Sequence, residues 1–388
     1  MKPLLLAALL TLTPAARAEE TAPSAEARIK SLEERLAKLE GAPAKTSQSA
    51  FNPAMGAALD LAYSHTNGPS NFSFRAAELN VESAIDPFLK GWFILVGSRA
   101  EVTIEEAALQ TTALPYNLTV TGGRLFASFG RLAHFHDHEL PVVERPRSLD
   151  AFIGGETQAD GVEVSYLFPT PFYLTATAGA YNKLGGDNAR RANADARTMD
   201  NFTYLGRLAA YTDLGDDHSV ELGLTEAWTP KRFVNETAVP GISTRKNTWR
   251  SLAGADLTYR YQPSAGGSLR GAVWSTEVMQ NNERRFDSAT DLPTDRVRSY
   301  AGFSYVELKA GRHWRPGVMV DLTEDLDRAR TLTRTFTAFV TYDATEFQRL
   351  RLAFSRTTDN LPTGRASDTV ALQWTGVFGK HVHGFRDR

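Results

Sequence analysis

From Asn52 onward the chain places apolar residues at every second position. In VEVSYLF, Val162, Val164, Tyr166 and Phe168 share one face, and Glu163 and Ser165 take the other. In SVELGLTEAW, Val220, Leu222, Leu224 and Trp228 oppose Ser219, Glu221, Gly223 and Thr225. RLRLAFSR sets Leu350, Leu352 and Phe354 against Arg349, Arg351 and Ser355. A period of two with one greasy face and one polar face is the signature of a β-strand. The pattern predicts about sixteen such segments, near 54–65, 72–85, 90–99, 102–112, 118–130, 160–168, 171–182, 202–214, 218–231, 248–262, 267–281, 297–310, 313–325, 331–343, 347–358 and 368–379.

The connectors are sorted by length. DPFLK, LPYN, FPTP, DLGDD, QPSAGG, KAGR and DATEF are tight, and they alternate with mostly longer, polar stretches at 131–159, 183–201, 232–247, 282–296 and 359–367. Short turns at one end and long loops at the other are the pattern of transmembrane barrels. A soluble sandwich has no physical reason to sort its loops. Most segments also have the roughly 9–11 residues that a tilted strand needs to cross a bilayer. The predicted fold class is therefore all-β, a transmembrane antiparallel barrel of about sixteen strands over 51–388. Trp92, Tyr116, Phe172, Trp228, Trp249, Tyr259, Tyr261, Trp314, Tyr342 and Trp374 fall near predicted strand ends, where aromatic girdles stand.

A different periodicity precedes the barrel. In SAEARIKSLEERLAKLEG, Ala25, Ile29, Leu32, Leu36 and Leu39 follow heptad a/d spacing with charged residues between them. This predicts a short amphipathic helix, either a surface helix or a small oligomerising coil, followed by a linker, so that 19–50 stand apart from the barrel. Two heptads cannot hold chains together alone, so a trimer would take most of its contact from the barrel walls. Ahead of the helix, Lys2, the apolar run Leu4–Leu12 and Ala16-Arg17-Ala18 read as a secretory signal over 1–18. The run is shorter than the roughly 20 residues of a membrane-spanning helix.

Composition adds two points. The chain has no cysteine, so an exported protein of this sequence lacks a disulfide framework and must draw its stability from a large core or a closed sheet. Loss of the signal takes Lys2 and Arg17 and leaves 41 basic against 45 acidic residues, a balance that argues against a nucleic-acid partner. Catalytic signatures are missing as well: there is no G-x-S-x-G and no glycine-rich phosphate loop. On the polar faces Arg124, Arg207, Arg270, Arg349 and Arg351 share the lumen with Asp60, Glu78, Glu82, Glu163, Glu221 and Asp256.

The candidate site is the connector between the fifth and sixth strands, which contains GRLAHFHDHELPVVERPRSLDAFIGG from Gly130 to Gly155. As the third external loop it is expected to fold into the barrel and narrow it. Arg131, Glu144, Arg145, Arg147, Asp150 and Glu156 would then set the size and field of the opening, with Pro141 and Pro146 stiffening the segment. His134, His136 and His138 alternate, so an extended backbone would aim three imidazoles the same way, beside Asp137 and Glu139. Zinc accepts such nitrogen and oxygen ligands and is the one cofactor that the sequence suggests.

FNPAMGAALDLAY, RAAELNVESAIDPFLKGW, GGRLFASFGRLAHFHDHEL, GGETQADGVEVSYLFPTPFYLTATAG and the late WTGVFGKHVHGF resemble bacterial outer-membrane proteins of the phosphate-selective porin-like superfamily. The resemblance covers the first barrel half and returns near the C-terminus. It implies a sixteen-stranded porin-like barrel in the outer membrane, in some members trimeric with a short N-terminal coil. Some relatives are labelled TonB-dependent receptors, a label that does not suit a chain with no room for a plug before its first strand. The mixed lumen charge also departs from the basic lumen that goes with phosphate selectivity. The expected function is passive diffusion of small hydrophilic solutes or ions through a lipid-embedded, trimeric, non-enzymatic channel. The alternative is a zinc-linked transporter or sensor built on the 134–138 histidines.

Overall fold

The structure, a computed structural model, describes residues 53–186, 198–236, 244–264, 269–286, 293–326, 331–362, 364 and 366–379. The expected signal, heptad helix and linker, the fourth-loop Arg190 and Arg191, and His381 and His383 lie outside the described residues.

Strict alternation leaves each segment with one face for lipid and one for water, and the strands form where the pattern places them. They are β1 (Ala54–Thr66), β2 (Ser70–Ala84), β3 (Leu89–Gly97), β4 (Val102–Thr111), β5 (Leu118–Phe126), β6 (Gln158–Leu167), β7 (Tyr173–Tyr181) and β8 (Thr203–Asp213). The second half is β9 (His218–Glu236), β10 (Thr244–Tyr261), β11 (Arg270–Phe286), β12 (Pro293–Ala310), β13 (Trp314–Glu324), β14 (Leu332–Thr345), β15 (Gln348–Asp359) and β16 (Ser367–Gly379). Each strand pairs antiparallel with its neighbours in sequence, and β1 pairs with β16 from Gly56↔Gly379 to Thr66↔Thr369. The sheet is a closed barrel. No described helix is long and apolar enough to cross a membrane.

The faces sort as the period requires. On β15, Arg349, Arg351 and Ala353 are buried inside, while Leu350, Leu352 and Phe354 are exposed on the outer wall. On β16, Ala371, Gln373 and Thr375 point in, and Val370, Leu372 and Trp374 point out. An exterior of Leu, Val and Phe around a closed sheet suits hydrocarbon and nothing else in contact with water. Trp228, Trp314, Trp374 and Tyr261 stand on that exterior, as girdle residues should. Trp92 does not. It points inward and donates its indole N–H to Glu106 at 2.7 Å.

Two stretches differ from the sequence expectation. The predicted loops at 232–247 and 282–296 are largely strand: β9 and β10 run as far as Glu236 and Thr244, and β11 and β12 as far as Phe286 and Pro293. Polar residues continue the ladder there, since the pairing of backbone groups does not itself require alternation of hydrophobicity. Between β5 and β6, residues 127–157 contain a short helix, α1 (Arg147–Phe152), and two single 3-10 turns at Leu132–His134 and Asp137–Glu139.

The outer face gives the first prediction. Leu352 sits mid-wall with Val340 of β14 and Leu372 of β16 opposite it. Leu352→Arg should destabilise the folded barrel by about 2–4 kcal/mol, against about 0–1 for the same change at Thr358 near the loop end. Urea titration of the protein in lipid vesicles, read by the heat-dependent gel shift, checks the difference.

Candidate functional site

The 127–157 connector folds inside the barrel. Its own apolar residues build the core: Phe129, Leu132, Ala133, Leu140, Val143, Leu149, Phe152 and Ile153 are all fully buried. A barrel lined by polar side chains would otherwise offer these groups only water, so burial against each other drives the loop inward. Space is made for it. Phe129 packs over Gly254 of β10, where a Cβ would stand 3.0 Å from its ring. Gly130 has a φ of +63°, and a Cβ there would meet a Glu277 carboxylate oxygen at 2.5 Å.

The wall holds the loop by hydrogen bonds from all sides. Glu163 of β6 accepts the Ser128 backbone N–H at 2.7 Å and its hydroxyl at 2.9 Å, and also the hydroxyl of Tyr181. Glu277 of β11 accepts the Leu132 N–H at 2.5 Å. Arg250 of β10 donates to the Phe152 carbonyl, and Asp321 of β13 takes both the N–H and the hydroxyl of Ser148 at the start of α1. Arg351 of β15 reaches the Val142 carbonyl at 3.2 Å, and Arg75 of β2 the Val143 carbonyl at 2.7 Å. Strands from opposite sides thus grip one segment.

The expected constriction residues separate into two groups. Arg131 and Arg145 are buried. Arg131 faces Glu221 at 3.3 Å and lies 5.3 Å over the Phe135 ring. Arg145 joins Asp137 at 2.8 Å and Glu156 at 2.9 Å, and donates to the Phe135 carbonyl at 2.7 Å. Burial would lift the Asp137 carboxyl, but Arg145 and Arg75 on either side hold it below the ordinary range. Glu144, Arg147 and Asp150 are exposed on the loop surface, with Glu144 3.4 Å from Arg75.

Of the expected lumen residues, Arg207, Arg349, Arg351, Glu78 and Glu163 face the interior, with Arg207 paired to Asp256 at 2.7 Å. Arg124 is a correction. It shares its face with Val120 and Leu118 and pairs across to Asp160 at 3.2 Å on the outer wall. Thr119, Thr121 and Gly123 before it take the inward positions, so the arginine falls on the opposite parity. Arg270, the first residue of β11, is exposed at the turn-side rim, where it borders a recess shared with Arg260, Glu307, Arg315 and Arg349. A second, adjoining cavity of about 940 Å³ lies beneath the loop, lined by Arg131, Phe135, Arg207, Glu221 and Arg260 among others. Arginine and acid alternate around this space: Arg315 and Arg349 each stand 2.8 Å from Asp343, and Arg260 3.6 Å from Glu221.

The three histidines do not converge. His134 turns to the Ala127 carbonyl at 2.6 Å, and burial together with Arg207 pushes its pKa down to about 4. The 3-10 turns break the extended backbone that alternation of the three would need. His136 and His138 do come together, with ring centroids 5.7 Å apart. They meet carboxylates of the wall that the sequence pattern did not single out as ligands. His136 Nδ1 is 2.9 Å from Glu105 and 3.8 Å from Glu78, and its Nε2 is 3.5 Å from Glu106. Burial alone would lower the His136 pKa, but Glu105, Glu106 and Glu78 raise it well above its ordinary value. The missed signal is the adjacent pair Glu105-Glu106, two acids in a row inside a strand.

No family model matches the chain. A chain of Aquifex aeolicus (strain VF5), described as an uncharacterized protein, is 26% identical over 310 residues, 74% of this chain and 65% of that one. The chain therefore spans just under two thirds of the length of the curated relative it matches. Similar solved structures include an anion-selective porin from Comamonas acidovorans (13% identity, 84% of this chain and 99% of that chain, TM-score 0.53). Salmonella typhi OmpF in complex with daunomycin (12%, 85% and 99%, 0.55) and the trimer form of OmpT from Vibrio cholerae (9%, 85% and 100%, 0.55) are alike to the same degree. At such identities the likeness is one of fold, and the fold this chain has is the closed antiparallel barrel of bacterial outer-membrane proteins.

Proposed function

We propose that this protein is an outer-membrane channel for passive diffusion of small hydrophilic solutes or ions. The observation that carries the reading is the third loop, folded inside a closed barrel and gripped from opposite walls, with a charged cavity beneath it. Water-facing groups at a narrowing set what passes. In this reading Glu144, Arg147 and Asp150 touch the solute, and the buried Arg131 and Arg145 hold the loop in place. Glu156 belongs with Arg145. The similarity to an anion-selective porin and to OmpF supports a channel in preference to an enzyme. Sequence resemblance to the phosphate-selective porin-like superfamily points the same way, but arginines matched by acids along the lumen favour a weak ion preference over a strong anionic one.

Purified protein in a planar bilayer should give discrete conductance steps. A membrane that stays silent across a range of salts would end the channel reading. In a salt gradient, Arg147→Ser should move selectivity towards cations. One charge some 4 Å from a passing ion is worth about 1 kcal/mol in water, or about a fivefold change in preference. Arg145→Ser should act differently: it takes the arginine from Glu156 and leaves Asp137 with Arg75 alone, loosens the loop and raises noise and mean conductance.

The assembly we infer is a trimer, in keeping with the trimer form of OmpT, with the heptads of 25–39 assisting the barrel walls. Deletion of residues 19–45 should weaken the oligomer on mild-detergent gels without abolishing it. A monomeric undeleted protein would refute this.

A further inference from the structure

Two of the sheet's register irregularities lie in β2 and β4, and both bring a charge inside. In β2 the pairing with β1 skips from Asp60↔Ala76 to Leu61↔Phe74, leaving Arg75 as the extra residue. In β4 the pairing with β3 skips from Ile94↔Glu106 to Leu95↔Ile104, leaving Glu105. Bulges re-aim side chains and bend a strand at the expense of ladder hydrogen bonds. Here the second bulge turns two consecutive glutamates to the same side. Glu105 and Glu106 are both buried, where strict alternation would send one of them into lipid.

Arg75 of β2 and Arg145 of the loop itself place their guanidinium groups on Asp60, Asp137, Glu144 and Glu156. Among the described residues, the ion pairs of Glu105 and Glu106 are with His136. Three buried carboxylates and two buried imidazoles therefore share one space. Donor atoms of Glu78, Glu105 and His136 all lie within 4.8 Å of one another. His138 Nδ1 lies 3.4 Å from Glu78, at the edge of that group. A tetrahedral zinc with ligands about 2.0–2.1 Å away spaces those ligands about 3.3 Å apart. The separations of 2.9 and 3.8 Å within the group bracket that value.

The outer surroundings fit as well. A metal-bound histidine normally directs its other ring nitrogen at a carboxylate that fixes the ring. His136 directs Nε2 at Glu106, and Glu106 is itself fixed by the Trp92 indole N–H at 2.7 Å. Phe126 closes one side with its ring 4.9 Å from that of His136. An imidazole with two carboxylates suits a zinc-like first-row dication, whereas calcium and magnesium select oxygen alone.

We propose that Glu78 and Glu105 of the wall and His136 of loop 3 bind a zinc-class divalent cation, with Glu106 orienting His136 and the fourth position left open beside His138. The ion ties loop 3 to β2 and β4 by coordination. This site differs from the one the histidine spacing suggests, since His134 has no part in it and three acids of the wall do. It rests on side-chain geometry and is independent of whether the barrel conducts.

The test is calorimetric titration of the full-length, detergent-folded protein with zinc chloride, paired with the visible absorption of the cobalt-loaded protein. One saturable site per chain and the bands of four-coordinate cobalt are expected. Glu105→Gln and His136→Ala should abolish saturable binding, and Glu106→Gln should weaken it about 10–100-fold. His134→Gln should bind as the parent does. The heat-dependent gel shift verifies that each variant folds. If Glu105→Gln or His136→Ala does not fold, the parent's cobalt spectrum decides, and six-coordinate or featureless absorption rejects the site. Absence of saturable zinc binding by the parent also overturns the proposal. So does unchanged binding in the folded Glu105→Gln and His136→Ala proteins, or a loss in His134→Gln as large as in His136→Ala.

Discussion

In hydrocarbon a backbone amide has no water to bind, and each unmet N–H or C=O costs several kcal/mol. A sheet can satisfy all of its groups only if its first strand meets its last. The β1–β16 ladder does this over eleven residue pairs, and the rest of the molecule follows from it. Closure forces every side chain to be either outside or inside. The outside must then be apolar and the inside is free to be polar. It also fixes an interior too wide for one layer of side chains to fill.

That interior is occupied by the protein's own loop. Residues 127–157 bring a small apolar core of Phe129, Leu132, Leu149, Phe152 and Ile153 into a barrel whose wall is largely Arg, Asp, Glu and Thr. Two kinds of contact reconcile them. Apolar side chains of the loop meet the few inward hydrophobes of β10 to β14, such as Leu252, Met279, Phe303 and Phe339. Loop backbone groups, which a buried loop leaves without water, are met by wall charges: Glu163, Glu277, Arg250, Asp321 and Arg351 each bind a loop N–H or C=O. A buried loop is tolerated because the wall supplies the partners that solvent would otherwise supply. The wall charges therefore serve two purposes. Some position the loop, while others, among them Arg207, Arg260 and Arg315, line the remaining cavity.

Much of the fold was legible in the residues. Alternation in segments such as 347–358 and 368–379 placed β15 and β16 nearly to the residue, because lipid outside and water inside demand a period of two. Alternation failed at the polar ends of β9 to β12, which are strands without the pattern. It also failed at Trp92, which reads as a girdle aromatic yet points inward to Glu106. At Arg124 the fault lay in the parity assigned and not in the pattern, since Leu118 and Val120 already mark its face as the outer one.

By itself, then, the sequence determined the closed-barrel class and the number of strands. Both are local in origin: periodicity, turn chemistry and segment length are set by neighbours in the chain and by the solvent each side meets. Which charges hold the loop and which face the cavity was decided only by tertiary structure. Arg145 and Arg147 are two residues apart and alike in sequence, but one is buried between Asp137 and Glu156 and the other is exposed. The gathering of His136 and His138 with Glu78, Glu105 and Glu106 was decided there too. It depends on a bulge in β4 and on the docking of a loop against strands far away in the chain, and no spacing within either segment encodes that meeting.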